Sequence, residues 1–376
     1  MIDKILLFPY WLALKCRHFM YDHGLRKVHK ADVPAICVGN VTVGGTGKTP
    51  HTELVVRTLL EDKEWEGKNI AVLSRGYKRK TKGFQQVVAD GTSRQFGDEP
   101  LQIKRKFPEI TVAVCRSRKE GCDFLAHPEK LQTSKKARRC MHKDMPAADV
   151  IVLDDAFQHR AVKPSASIVL IDFSRPVDKD HLMPLGRLRD LPERVSRADI
   201  VIISKCPKDI DPWQRSRWAQ SLGLSGYDGE FGFGYRKDGS RQYLFFTTIG
   251  YEAPQAVFPE GDARYVYSKK LILFSGIAND KPLRHYLSSS YKLLRHFEFA
   301  DHHKFSRSDM NSIIREMRTF PTAVAMTTEK DCQRVRDCAG LPDNFRKRVF
   351  YTPIKSEFIS PQDGMLFRQV INSFLK

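Results

Sequence analysis

The sequence lacks an apolar segment long enough to cross a bilayer, which takes about 20 residues in a helix. Its longest apolar run extends from Ile5 to Leu14 and is interrupted by Pro9. No small-residue cleavage motif follows this run, so we do not expect a secretory signal peptide. The pattern therefore disfavours a membrane-spanning protein and a secreted one.

Closely paired cysteines are also lacking. The chain has eight cysteines, but they are scattered and form no Cys-x-x-Cys pair. Such spacing indicates neither a disulfide framework nor a zinc site. A reducing cytosolic environment fits best.

Acidic residues are few relative to basic ones. The chain has 44 aspartates and glutamates against 63 lysines and arginines, a formal net charge of +19. This balance is typical of proteins with a polyanionic partner, which could be nucleic acid, an anionic membrane surface or a phosphorylated substrate. Because neither zinc ligands nor an aromatic–glycine RNA-binding motif is present, we expect no nucleic acid.

The first 25 residues combine apolar and basic side chains. They predict a helix over residues 1–25 that lies in a membrane interface. Packing of this helix on the protein's own core is an equally good interpretation. The side chains concerned are Leu6, Leu7, Phe8, Trp11, Leu12 and Phe19, with Lys4, Lys15, Arg17 and His18 among them.

The rest of the chain alternates short β-branched runs with helix-length segments. This alternation predicts an α/β fold with a mostly parallel sheet and helices on both faces. The predicted strands are Ala35–Val38, Ile70–Leu73, Thr111–Val114, Asp149–Leu153, Ser167–Ile171 and Ile200–Ile203.

The pattern weakens from residue 207 to residue 240 and then resumes, with strands predicted at Lys270–Phe274 and Ala323–Thr327. We therefore predict a core domain over 26–239 and a smaller C-terminal α/β domain over 240–376, with a short β linker at Gln242–Ile249. Residues 127–147, rich in lysine and arginine, are predicted to form an exposed basic loop.

A glycine-rich loop follows the first predicted strand. Glycines allow backbone N–H groups to close around phosphate oxygens, and the N-terminus of the following helix favours an anion. In this pattern Lys48 reaches the β- and γ-phosphates and the Thr49 hydroxyl binds magnesium. The strict pattern has glycine where this chain has Thr42. The predicted nucleotide-binding residues are Thr42, Val43, Gly44, Gly45, Thr46, Gly47, Lys48 and Thr49.

Carboxylates occur at two further places. Asp154 and Asp155 end an apolar strand about 100 residues after the loop, where a magnesium-holding carboxylate is required. Two adjacent aspartates point to different sides, so at most one is expected directly on the metal. Asp98 and Glu99 lie in a tight acidic turn, which on its own is more often plain surface.

Histidine and arginine complete the candidate set. His302, in Asp301-His302-His303, could act as a base, although on sequence alone a surface histidine pair or an adventitious metal site is the preferred interpretation. Arginines suit bidentate phosphate recognition, and each is as often part of a structural ion pair. The candidates for substrate binding are Arg75, Arg116, Arg187 and Arg189.

These motifs together resemble the tetraacyldisaccharide 4′-kinase family, the lipid A 4′-kinases. The resemblance runs in order across most of the chain and is poor over 127–147 and 207–265. The matching segments are Val38–Asn40, Val43–Pro50, Leu73–Tyr77, Gly97–Pro100, Leu153–Arg160, Leu185–Arg189, Phe299–His303 and Thr327–Asp331.

The resemblance implies a P-loop kinase with ATP and Mg²⁺ as cofactors. It would transfer the γ-phosphate to the 4′-hydroxyl of a lipid A precursor glycolipid, as a peripheral enzyme on the cytoplasmic face of the inner membrane. Asp98 would be the base, paired with His302, and Lys48 would assist catalysis. Glu99, Asp154 and Asp155, together with Thr49, would form the metal shell. The anionic membrane surface would be reached through the N-terminal helix.

Two alternatives remain. A membrane-associated P-loop ATPase without lipid kinase activity would share the loop, but its signature lysine is replaced here by Val43. A GTPase is faintly suggested by Ser204-Lys205, but no aspartate stands two residues after Lys205.

Overall fold

The computed structural model describes residues 2–376, with side chains from residue 7 onward. Across the described residues, no helix has both the length and the apolar content needed to cross a membrane.

Twelve α-helices are present in this range. They are α1 (Ile2–Asp22), α2 (Lys48–Leu60), α3 (Ser93–Phe96), α4 (Asp98–Lys106), α5 (Arg118–Ala126), α6 (Lys130–Thr133), α7 (Pro212–Ser221), α8 (Lys281–Ser288), α9 (Arg307–Thr319), α10 (Glu329–Arg336), α11 (Asp343–Arg346) and α12 (Pro361–Leu375).

Eighteen strands accompany them over the same residues. They are β1 (His29–Lys30), β2 (Ala35–Asn40), β3 (Ile70–Ser74), β4 (Gln85–Gln86), β5 (Thr111–Val114), β6 (Val150–Asp154), β7 (Val162–Lys163), β8 (Ala166–Asp172), β9 (Ile200–Ser204), β10 (Ser225–Asp228), β11 (Phe233–Tyr235), β12 (Arg241–Tyr251), β13 (Gln255–Ala256), β14 (Lys270–Ser275), β15 (Lys292–Glu298), β16 (Val324–Thr328), β17 (Val349–Thr352) and β18 (Ile354–Phe358).

The larger sheet has the strand order β10-β11-β12-β9-β8-β2-β6-β3-β5-β4. Its central strands, from β12 to β5, are all parallel. All five residues of β6 are buried: Val150 and Val152 belong to one apolar cluster, and Ile151 and Leu153 to another. A strand covered on both faces can be apolar at every position. The predicted α/β fold with helices on both faces is thus confirmed.

A smaller sheet has the order β13-β17-β16-β14-β15, with β14, β15, β16 and β17 parallel. Helix α9 packs on it through Met310, Ile313 and Met317. The strands predicted at 270–274 and 323–327 are confirmed as β14 and β16.

Strands β12 and β18, both in the larger sheet, carry the chain to the smaller sheet and back. The first half of β12 pairs with β9, and residues 247–251 pair with β18. Helix α12 then packs on the larger sheet and places Phe367 and Ile371 in that sheet's apolar cluster. The division of the chain into domains over 26–239 and 240–376 stays a prediction. Because α12 packs on the larger sheet, it affects where the C-terminal boundary of the smaller domain lies.

Helix α1 has two different faces. Leu14 and His18 are buried against the body of the protein, whereas Phe8, Trp11 and Phe19 are 54%, 38% and 55% exposed. One face of the helix therefore packs on the core, as the second interpretation expects. The other face presents aromatic side chains to solvent, and its placement in a membrane interface stays a prediction.

The basic segment 127–147 is more ordered than predicted. It contains α6 and a further short helical turn at Lys135–Ala137. Leu131, Ala137 and Cys140 are buried in one apolar cluster. Most of the basic side chains are exposed, as predicted, but these three residues and Met145 hold the segment on the sheet, so it is not a plain loop.

Candidate active site

The glycine-rich loop connects the end of β2 to the start of α2. Gly44 and Gly47 have φ values of +92° and +85°, which favour glycine over any residue with a Cβ atom. Gly47 directly precedes the first helical residue, Lys48, as the sequence predicts. The loop therefore ends at a helix N-terminus, where unpaired N–H groups attract an anion.

Asn40, the last residue of β2, organises this loop. Its Nδ2 donates to Thr46 Oγ1 at 2.6 Å and to Thr42 Oγ1 at 3.3 Å. Its Oδ1 accepts from Arg189 at 2.6 Å and from Lys48 Nζ at 3.5 Å. Burial lowers the pKa of Lys48, and the nearby Asp155 carboxylate opposes this. One buried amide thus connects the loop, the lysine and an arginine.

Asp154 is buried at the end of β6. Its two carboxylate oxygens accept from the Thr52 hydroxyl at 3.0 Å and the Ser74 hydroxyl at 2.9 Å. Burial raises its pKa, and the neighbouring Asp155 charge adds to this effect. The Arg118 guanidinium, itself buried, donates to the Asp154 carbonyl at 2.7 Å.

Asp155 faces a different set of partners. Its φ is +46°, and its carboxylate pairs with the Arg189 guanidinium. Burial alone would raise its pKa, but the hydrogen bond from Arg189 and the charge of Lys48 outweigh burial, so the pKa lies below its usual value. Asp155 is therefore held as a carboxylate beside the phosphate loop.

The residues around the loop suit a hard divalent cation. Thr49 lies half-buried in the first turn of α2, and the carboxylates of Asp154 and Asp155 stand at the end of β6. Hydroxyl and carboxylate oxygens are the donors that Mg²⁺ prefers. The residues present thus fit the ion.

A second group of charged residues joins the two sheets. Asp98 begins α4, and its Oδ2 lies 3.6 Å from His302 Nδ1 and 3.3 Å from Arg334 Nε. Glu99 Oε1 lies 3.0 Å from Lys330 Nζ. The structure therefore brings Asp98 and His302 together, although about 200 residues separate them in sequence. Glu99 pairs with a lysine, and its predicted metal role stays a prediction.

The candidate arginines occupy different environments. Arg75, Arg116 and Arg187 are exposed, and within residues 7–376 their guanidinium groups make no hydrogen bond or ion pair. Arg187 lines a small pocket with Thr42, Val43 and Thr46, and its carbonyl accepts from the Val43 amide at 2.7 Å. Arg189 instead binds Asp155 and Asn40. It is thus part of the phosphate-loop network, and a substrate role for all four stays a prediction.

Several residues of the site were not among the sequence candidates. Asn40 and Lys330 lie in the matching segments Val38–Asn40 and Thr327–Asp331 but were given no role there, and Thr52 and Arg334 lie in segments without a distinctive local pattern. Lys205 was considered only as part of a guanine-reading motif, yet its Nζ donates to the Gly45 carbonyl and lies 2.7 Å from Asp172. The matching segment Thr327–Asp331 was the one signal that pointed towards α10.

Comparison with known proteins finds similarity over nearly the whole chain. The family model described as LpxK, tetraacyldisaccharide-1-P 4′-kinase, matches residues 4–374. The tetraacyldisaccharide 4′-kinase of Phocaeicola vulgatus is 37% identical, covering 98% of this chain and 93% of the relative. That of Parabacteroides distasonis is also 37% identical, covering 97% and 91%.

Among solved structures, the fold is similar to that of LpxK from Aquifex aeolicus, crystallised in complex with ATP. The match covers 100% of both chains with a TM-score of 0.68 and 22% identity. The predicted P-loop kinase fold is confirmed by this likeness. With the match of the family model to nearly every residue, the chain belongs to the tetraacyldisaccharide-1-P 4′-kinase family.

Proposed function

We propose that this protein transfers the γ-phosphate of ATP to the 4′-hydroxyl of a tetraacyl disaccharide 1-phosphate, a lipid A precursor. The observation that carries the proposal is the contact between Asp98 and His302, because it supplies an acid–imidazole pair for a hydroxyl acceptor. A P-loop protein that only hydrolysed ATP would not need such a pair between its two sheets. The names of the relatives supply the substrate class.

The nucleotide is held by the loop from Thr42 to Thr49. Its backbone N–H groups and the N-terminus of α2 bind the β- and γ-phosphates, and Lys48 neutralises the charge that develops during transfer. Arg189 holds both Asn40 and Asp155, so it fixes the loop and the carboxylate relative to each other.

Magnesium is the proposed companion of ATP. Thr49, Asp155 and Asp154 would hold it, with Glu99 as a further acidic group. When bound, the ion neutralises phosphate charge and aligns the γ-phosphate for attack.

The acceptor hydroxyl is activated by Asp98. Its carboxylate removes the proton of the 4′-hydroxyl as the oxygen forms its bond to the γ-phosphorus. The bond between that phosphorus and the β–γ bridging oxygen breaks, and ADP leaves. His302 and Arg334 face Oδ2 of Asp98, and Oδ1 makes no hydrogen bond among the described residues, so Oδ1 is the atom available to the hydroxyl.

The acylated substrate requires access to a membrane. We propose that α1 docks on the inner face of the inner membrane through Phe8, Trp11 and Phe19, which are exposed on one side of that helix. Basic side chains near an anionic surface contribute about 1 kcal/mol each, so the net charge of +19 favours such docking. The protein would thus be peripheral on the cytoplasmic side.

The test is transfer of labelled γ-phosphate from ATP and Mg²⁺ to a tetraacyl disaccharide 1-phosphate in mixed micelles. Wild type should phosphorylate the lipid, and Asp98→Ala should lose about 10²-fold or more in kcat while still binding ATP. If wild type hydrolyses ATP without phosphorylating the lipid, the proposed function is wrong and the ATPase alternative takes its place.

A further inference from the structure

Helix α10 brings two cations to the Asp98–His302 pair. Lys330 Nζ lies 3.0 Å from His302 Nε2 and 3.0 Å from Glu99 Oε1. One turn later, Arg334 Nε lies 3.3 Å from Asp98 Oδ2. Lys330 therefore contacts a residue of the larger-sheet region and a residue of the smaller-sheet region at the same time.

In the hydrogen bond between Lys330 and His302, the lysine must be the donor. A lysine ammonium carries three donors and no acceptor. The Nε2 atom of His302 must therefore accept, and in a neutral imidazole the proton then lies on Nδ1. The Nδ1 atom is the one that faces Asp98 Oδ2, at 3.6 Å.

The surrounding backbone holds this arrangement in place. His302 has a φ of +60°, and its amide donates to the Gly276 carbonyl at 3.0 Å. Asp331, next to Lys330, accepts from the Gly276 amide at 2.9 Å and from the Thr328 hydroxyl at 2.7 Å. Gly276 thus ties both the histidine and the start of α10 to one point of the smaller sheet.

We infer that Lys330 is a positioning residue that holds His302 in its Nδ1–H form, with that N–H directed at Asp98. With Nε2 bonded to Lys330 and Nδ1 already protonated, His302 has no nitrogen free to take the proton of the acceptor hydroxyl. Its Nδ1–H instead faces Asp98 Oδ2, and the 3.6 Å between the two atoms must shorten by a few tenths of an ångström to form a hydrogen bond. This inference rests on the proposed kinase function.

The experiment compares Lys330→Met and Lys330→Arg with a matched control, Lys304→Met. Lys304 is exposed two residues after His302 and makes no hydrogen bond or ion pair among the described side chains. Each protein is assayed for lipid phosphorylation with kcat and KM for ATP measured separately. The ring nitrogens of His302 are observed by ¹⁵N NMR of the full chain, with the His302 signals assigned by their loss in His302→Gln.

We expect Lys330→Met to lower kcat by about 10- to 100-fold with little change in KM for ATP, because the imidazole beside Asp98 is then no longer held in one orientation. Its His302 spectrum should shift from the Nδ1–H form towards the Nε2–H form. Lys330→Arg keeps a hydrogen-bond donor, so it should retain most of the wild-type kcat and most of the Nδ1–H form of His302. Lys304→Met should match wild type in both measurements.

Two results would overturn the inference, and each has a different meaning. If wild type phosphorylates the lipid but Lys330→Met leaves the His302 tautomer or kcat unchanged, Lys330 does not position the pair and the proposed function survives. If wild type does not phosphorylate the lipid, the proposed function fails, and with it the catalytic part of this inference.

Discussion

Replacing Glu53 by glutamine should stabilise the protein at neutral and alkaline pH. Glu53 lies on α2 and is 1% exposed. Lys106 Nζ stands 2.8 Å from its Oε2 and 3.1 Å from Oε1 of Glu329 on α10. A single cation therefore faces two buried carboxylates. Burial raises the pKa of Glu53 from 4.5 to about 7, the charge of Glu329 adds to this effect, and Lys106 only partly offsets it.

The magnitude follows from the difference between the folded and unfolded pKa values. The unfolded chain releases the Glu53 proton from about pH 4.5, whereas the folded protein releases it only near pH 7. Between these values the folded state binds more protons, so the free energy of unfolding falls as pH rises. One pKa unit is about 1.4 kcal/mol, so the full loss is about 3 kcal/mol above pH 7.

Glutamine keeps the shape of the side chain and never ionises. Gln102 Nε2 now donates to Glu53 Oε1 at 2.8 Å, and its amide can rotate to accept instead. We therefore expect Glu53→Gln to be more stable than wild type by about 3 kcal/mol at pH 8 and by less than about 1 kcal/mol at pH 5.

Urea unfolding at pH 5, 6, 7 and 8 measures the difference. Glu66→Gln is the matched control, since Glu66 is exposed and has no ion pair among the described residues, and its difference from wild type should stay near zero. A Glu53→Gln protein that is less stable than wild type at pH 8 would refute the reasoning. It would mean that the attraction between Glu53 and Lys106 stabilises the folded protein more than burial of the charged Glu53 carboxylate beside Glu329 destabilises it.

Two further predictions concern the phosphate loop and helix α1. Arg189→Ala removes the guanidinium partner of the half-buried Asp155 carboxylate, so we expect a loss of about 2 kcal/mol in the free energy of unfolding, measured in urea. The kcat for lipid phosphorylation should also fall, and an unchanged kcat would argue against Arg189 as a support of the loop. Replacing Phe8 and Trp11 together by serine should weaken binding to anionic vesicles by about tenfold or more, because two large apolar side chains no longer enter the bilayer. Trp213→Ser, which removes a tryptophan that is 64% exposed elsewhere, is the control, and equal losses in the two proteins would contradict docking by α1.

The sequence predicted well where a local pattern carries the information. Buried parallel strands carry apolar residues towards both faces, so β2, β3, β5, β6, β8 and β9 could be located from their composition. The phosphate loop could be located because its glycines, lysine and threonine must stand at fixed offsets between a strand and a helix.

Contacts between distant segments could not be predicted in the same way. Lys330 reaches Glu99, and Arg105 reaches Gln333, only because α4 and α10 pack together, and neither helix has a pattern that specifies its partner. Asn40 looks like an ordinary strand end until the fold surrounds it with Lys48 and Arg189. The pairing of Asp98 with His302 came from the family resemblance, since on sequence alone each had a plain surface interpretation.

The second half of β12 and strand β18 form a two-stranded ribbon through which the chain leaves the larger sheet and comes back. Tyr251 and Ile354 are paired neighbours in that ribbon, so residues 252–353 leave and re-enter it at adjacent points. Paired residues of antiparallel strands lie about 5 Å apart, and a two-residue turn closes such a gap. The smaller sheet is thus an insertion into a β-hairpin, and both His302 and Lys330 belong to the inserted segment. A bend of this ribbon would carry His302 and Lys330 away from Asp98 and Glu99 as one body while the phosphate loop stays intact.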